Sequence, residues 1–140
     1  MADLLYMFEH TNVMMSKLLT SFLDNDVPAT KLFQGKNSVI RSFRAKVYIC
    51  WTLGLFEESD AEDLLKFGEL RNMFAHGEVK NWHDEKIVSL HASLSINKVM
   101  SNSEVGEIDE MGRYADFNLA VVSALFKATD RLNSRAVKCK

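Results

Sequence analysis

The chain has 140 residues, of which 47% are hydrophobic and 26% are charged, so it is long enough to bury one core and has the composition of a globular domain. Its formal net charge of −2 argues against a dedicated nucleic-acid-binding module, which usually carries a basic balance. Two cysteines, Cys50 and Cys139, are too few for a disulfide framework and predict free thiols in a reducing compartment.

The N-terminal segment "MADLLYMFEH" has no basic region ahead of its apolar residues and no long uninterrupted apolar run. Neither a signal peptide nor a membrane span is therefore expected. We predict one cytoplasmic domain over residues 1–140.

The first half of the chain predicts two long helices. Between Asp3 and Asp24, apolar residues recur at three- and four-residue steps, which indicates an amphipathic helix; they are Leu4, Phe8, Met15, Leu18, Leu19 and Phe22. The stretch "PATKLFQGKNS" (28–38) predicts a turn-rich connection in which Phe33 contacts the core. A second helix is predicted from Asn37 or Ser38 to Leu53.

The third helix is predicted from Asp60 to Ala75 or His76. Ser59 followed by Glu62 has the spacing of a capping box, in which each side chain accepts a hydrogen bond from a backbone amide at the helix start. Gly77 is a natural C-terminal stop.

The last third of the chain is harder to assign. Residues 88–96, "VSLHASLSI", alternate apolar and polar as a strand does, yet apolar residues also recur at helical spacing. Because a lone strand would leave its backbone edge unpaired, we favour a short helix over 84–94. Residues 101–109 predict a loop. A long helix is predicted over 107–135, with these residues inward: Met111, Ala115, Val122, Leu125 and Leu132.

These elements predict an all-α, single-domain bundle of four main helices plus a short element at about 84–96. Helix one and the last helix have the length and apolar width for a dimer face, so we expect a homodimer.

The stretch "ELRNMFAHGEV" (69–79) is the most distinctive in the chain. It places Arg71, Asn72 and His76 at the end of the third helix, with Arg71 on the apolar arc and the other two on a different face. A buried guanidinium must find acceptors. Either Arg71 is tied into the core and His76 ends the helix, or the two hold a phosphate or carboxylate, where His transfers a proton and Arg stabilises negative charge.

Two family resemblances bear on this choice. "RNMFAH" is similar to the R-x4–6-H pattern of the HEPN superfamily, which includes metal-independent ribonucleases. The longer segment from Ser42 to Gly77, "SFRAKVYICWTLGLFEESDAEDLLKFGELRNMFAHG", together with "WHDEKI" at 82–87, resembles the mannitol operon repressor family. Glu69, in place of a basic residue, and the bulky pair Cys50 and Trp51 depart from that family's pattern.

The repressor resemblance implies a cytoplasmic, all-helical bacterial regulator of sugar-operon expression that is not an enzyme and acts through protein partners. No helix-turn-helix reader is apparent in the sequence either. The HEPN resemblance implies an alternative, a metal-independent endoribonuclease of toxin or defence type. In it Arg71 and His76 are the catalytic pair and Asn72 positions them. Neither reading requires a cofactor or a metal.

Two groups of basic residues complete the sequence signals. One steps along the last helix at Lys127, Arg131 and Arg135; the other comprises Lys31, Lys36, Arg41, Arg44 and Lys46. Each is explained by a solvated helix face, balanced by acids elsewhere. If the two groups meet in space, they could instead contact a nucleic-acid backbone.

Overall fold

The computed structural model describes residues 2–24, 26–99 and 110–138. These ranges contain helices and no strand, which confirms the all-α class. The helices are α1 (Ala2–Phe22), α2 (Val27–Phe33), α3 (Phe43–Thr52), α4 (Glu58–Ala75), α5 (Glu85–Ala92), α6 (Ser95–Val99) and α7 (Glu110–Lys138). Three short helices, α2, α5 and α6, thus accompany the longer ones, where a single short element is predicted. The predicted loop at 101–109, the predicted helix start at 107 and Cys139 lie outside the described residues.

Helix α4 is the centre of the fold, since it packs against α1, α3, α5, α6 and α7. Its inward residues, Leu64, Phe67 and Leu70, are fully buried. α3 approaches α4 closely at Gly68, where a Cβ atom would lie 3.2 Å from the ring of Phe43. The packing of α4 therefore sets the positions of the residues that precede and follow α4 in the chain.

The start of α4 differs from the predicted capping box by two residues. Glu57 is the N-cap, and the carboxylate of Asp60 accepts a hydrogen bond from its backbone N–H at 3.3 Å. Asp60 is buried against α7, whereas Ser59 and Glu62 are not part of this cap. Packing against α7 thus favours the Glu57–Asp60 pair over Ser59 and Glu62.

The connection between α1 and α3 is more ordered than predicted. Residues 27–33 form α2, which begins where Asp26 accepts a hydrogen bond from the amide of Ala29 at 2.8 Å. The chain then folds back on α2, so α3 starts only at Phe43, capped by Ser42, and not at 37 or 38. Phe33 is buried as predicted.

The preference for helix over strand after residue 84 is confirmed. Asp84 caps α5, and Ile87 and Leu94 are buried. α6 follows because the carboxylate of Asp63, on α4, accepts a hydrogen bond from the amide of Ser95 at 3.0 Å. This long-range contact provides α6 with a cap that its own sequence lacks.

Helix α7 turns a different face to the core than predicted. Met111 is 80% exposed, Val122 is 54% exposed and Ala115 is also exposed, so their inward assignment is wrong. Leu125 and Leu132 are partly buried, and the fully buried residues are Phe117, Val121, Ala124 and Ala128. Both sets recur at helical spacing, so periodicity alone could not choose between them.

Candidate functional site

Arg71 and Asn72 lie together near the end of α4. Arg71 Nη1 donates to Asn72 Oδ1 at 3.1 Å, and its guanidinium carbon lies 4.9 Å from the centre of the Phe8 ring. The buried Nε of Arg71 has no hydrogen-bond partner among the described residues. Arg71 is half-buried and its bond to Asn72 is exposed, so its Nη groups, and not the buried Nε, could reach an anion in the cleft.

His76 is separate from this pair. It is the exposed C-cap residue of α4 and does not line the cavity that Arg71 and Asn72 line. The structure therefore brings together two of the three predicted site residues, Arg71 and Asn72, and leaves His76 outside.

That cavity, the first cleft, has a volume of about 930 Å³ and lies between α1, the start of α3, and α4. Its floor is aromatic, since the rings of Phe8 and Phe43 stack with centres 4.4 Å apart. Its charges are mixed: besides Arg71, it is lined by the cations Arg41, Arg44 and Lys66 and the carboxylates Glu9, Glu62 and Glu69. The Lys66 ammonium is already held, because Nζ donates to the carbonyl of Ser93 at 2.6 Å.

A second cleft of about 550 Å³ adjoins the first, and the two share Glu9, Asn12 and Arg41. It lies between α1, the segment after α2, and Lys46 of α3. Lys46 is only 4% exposed, and its Nζ donates to Asn12 Oδ1 at 2.8 Å. Burial lowers the pKa of Lys46 below its ordinary value, and the nearby charge of Glu9 opposes that shift.

The basic residues of α7 mostly make contacts with other parts of the same chain. Lys127 Nζ lies 3.0 Å from Asp60 Oδ1, and Arg131 donates to the carbonyl of Leu55 at 2.7 Å. The guanidinium of Arg135 lies 3.7 Å from the ring centre of Phe22. These contacts hold α7 against α1 and the start of α4. None of the three residues lines either cleft, both of which are lined instead by members of the other basic group.

One buried polar cluster was not predicted from the sequence. His91 on α5 is buried, and its Nε2 lies 2.7 Å from Asp116 Oδ2 on α7. Asn97 donates to the carbonyl of His91 at 2.7 Å. The sequence carried no signal for this cluster, because its members come from three helices and have no motif spacing.

The solvent-facing side of α7 forms an apolar row that we call the outer stripe. Its members are Met111, Ala115, Leu119, Val122 and Phe126. They lie opposite the buried face of the same helix, and Phe126 is 74% exposed. Large apolar side chains in a row on a solvated helix face are typical of an interaction surface.

None of the helices in the described ranges combines the length and apolar character needed to cross a membrane. In the same ranges, no group of three or more His, Cys, Asp or Glu side chains is placed to hold a metal ion. The chain matches no protein-family model, and neither a curated protein nor a solved structure is significantly similar to it. Its function must therefore be inferred from the two clefts and the outer stripe.

Proposed function

We propose that this chain is a non-enzymatic, cytoplasmic regulatory protein that acts through protein contacts. One of these contacts joins it to a second copy of itself. The observation that carries the proposal is the outer stripe of α7. The resemblance of residues 42–77 to mannitol operon repressors suggests what is regulated, the expression of a sugar operon.

The outer stripe has the size that a protein contact needs. From Met111 to Phe126 it runs about 22 Å along the helix. Its large side chains leave on the order of 400 Å² of apolar surface in water, the size of patch that is often functional on a monomer. A stable interface buries about 800 Å² per partner, so the stripe supplies roughly half and the polar residues beside it supply the rest.

The spacing and shape of the stripe favour a second copy of α7 as the partner. From Ala115 to Phe126 its residues are separated by four, three and four positions, the alternation found in the seam of a coiled coil, and Met111 lies four positions before Ala115. In an antiparallel pair centred between Leu119 and Val122, Phe126 of one copy falls opposite Ala115 of the other. A two-fold interface requires this self-complementarity of large and small residues.

The test of this contact is the mass of the protein in solution. Light scattering at micromolar concentration is expected to give a dimer for the native chain and a monomer for Phe126→Glu, because two buried carboxylates would face the partner helix. Val39→Glu is the matched control: Val39 is 75% exposed but lies before α3, away from the stripe. A native monomer, or dissociation by Val39→Glu as well, would refute the contact.

The regulatory role needs a separate test. The native chain, Val39→Glu and Phe126→Glu are each used to recover protein partners from the native cell extract. The partners of the first two are then compared with those of Phe126→Glu. A partner that requires the intact dimer supports the proposal. Tight, sequence-specific DNA binding by the isolated protein, with no protein partner, would overturn it.

The first cleft supports a second candidate, a HEPN-type, metal-independent ribonuclease. The Nη groups of Arg71 could donate to a phosphate in this cleft, with Asn72 beside them. His76 would have to come from another copy or from a rearranged helix end, because it lies outside the cleft of its own chain. The mixed charge of the cleft also favours RNA less than a basic groove would.

Purified protein and its variants decide between the candidates. If the chain is a ribonuclease, it cuts RNA in the presence of a chelator, and His76→Ala abolishes cutting while the circular dichroism spectrum is unchanged. His83→Ala is the matched control, since His83 is also exposed but lies beyond α4. RNA left intact by the native chain would exclude the ribonuclease.

A further inference from the structure

We propose that the second cleft is a binding site for a small ligand that carries phosphate groups. Four cations from three separate parts of the chain line it: Lys17 of α1, Lys36 and Arg41 of the segment after α2, and Lys46 of α3. Among the described residues, Glu9 is the only carboxylate in its lining. The whole chain has a net charge of −2, so this concentration of positive charge does not reflect its average composition.

Three of the four cations are available to a ligand. Lys17, Lys36 and Arg41 are not members of any ion pair found in the described part of the chain. A bound anion would give these three cations the direct charged partner that no described residue gives them.

Lys46 gives the site a fixed, buried donor. An ammonium has three N–H donors, and the only hydrogen bond that the Lys46 ammonium makes to a described residue is the one to Asn12. A buried cation is costly unless it is paired. Ser38, also buried, lies in the same lining and adds a hydroxyl group. These groups could bind the oxygen atoms of a phosphate directly.

The size and surroundings of the cleft favour a small molecule over a nucleic acid. About 550 Å³ falls within the range of small-molecule sites. A polynucleotide needs a basic track that continues beyond one site, but the adjoining first cleft contains Glu62 and Glu69. Four cations suit the several negative charges of a diphosphate or triphosphate better than the single charge of a carboxylate.

The probe is inorganic pyrophosphate, titrated into the full chain by isothermal calorimetry. We expect saturable binding at one site per chain. Lys46→Met and Lys36→Gln should each weaken it about tenfold, the value of one charge-assisted hydrogen bond. Lys36 is exposed and lines the second cleft but not the first, so its variant still tests the site if Lys46→Met does not fold. Lys31→Gln is the matched control, because it removes an exposed, neighbouring charge that does not line the cleft.

Four results would overturn the proposal: no saturable binding of pyrophosphate; an equal loss of affinity in Lys31→Gln; equally tight binding of citrate, which would mean that any trivalent anion suffices; or displacement of pyrophosphate by a single-stranded oligonucleotide that binds more tightly. Binding that weakens in Lys36→Gln but not in Lys31→Gln, and that citrate does not reproduce, supports it.

Discussion

Replacing Asp60 by alanine should destabilise the fold more than any other change of a single charged residue at the start of α4. Asp60 is 4% exposed and accepts hydrogen bonds from Lys127 at 3.0 Å and from the backbone amide of Glu57 at 3.3 Å. Arg131 Nη1 lies 3.4 Å from Asp60 Oδ2, the oxygen that accepts from the amide of Glu57. One carboxylate thus caps α4 and joins it to α7.

The expected loss follows from these contacts. The cap contributes about 1 kcal/mol, and a hydrogen bond to a partly buried charged group contributes about 2 kcal/mol. The side chain of Lys127 is nearly half exposed and can return to water, while Arg131 keeps Leu55 and Glu57 as partners. The loss is therefore about 3 kcal/mol, at the low end for breaking a buried ion pair.

Urea unfolding followed by circular dichroism measures this loss. Glu58→Ala is the matched control, because Glu58 is an exposed acid in the same helical turn and should cost no more than about 1 kcal/mol through the helix dipole. Asp60→Asn, which keeps a cap acceptor, should fall between the two. If Asp60→Ala costs no more than Glu58→Ala, Asp60 does not join α4 to α7 as described.

Three further predictions concern buried residues. Burial lowers the pKa of Lys46 below its ordinary value of 10.5, so between the folded and the unfolded pKa the unfolded chain binds more protons than the folded one. The contribution of Lys46 to the free energy of unfolding therefore rises as the pH rises toward 10.5, and urea titrations at increasing pH should show a smaller rise for Lys46→Met. Burial raises the pKa of Cys50 to about 12, so iodoacetamide should alkylate it only in the unfolded chain, as read by peptide mass spectrometry. Gly68→Ala should lower stability by about 1 kcal/mol, because crowding against Phe43 outweighs the gain in helix propensity; a more stable variant would contradict this.

The candidate site could be predicted only in part. The motif pointed to Arg71 and Asn72 but predicted them on different faces of the helix; the structure joins them because the long side chain of Arg71 reaches Asn72 Oδ1. The motif could not place His76 relative to the first cleft, because the position of that cleft depends on how α1 and α3 pack against α4. The sequence showed the second cleft only as a scattered group of basic residues. Lys17 was not in that group, because only packing brings it together with Lys36, Arg41 and Lys46.

Local signals in the sequence determined the all-α class, the extents of α1 and α4 within a few residues, and the helix after Asp84. They suffice there because caps and apolar repeats act over four residues or fewer. Tertiary structure decided which apolar face of α7 is buried and which charges pair. Asp60 and Lys127 are 67 positions apart, and Lys46 and Asn12 are 34 apart. A helix with two apolar faces has no local reason to bury one face and not the other. Packing against the neighbouring helices α1 and α4 decides which face is buried: Phe117 and Val121 are inside, and Phe126 remains in water.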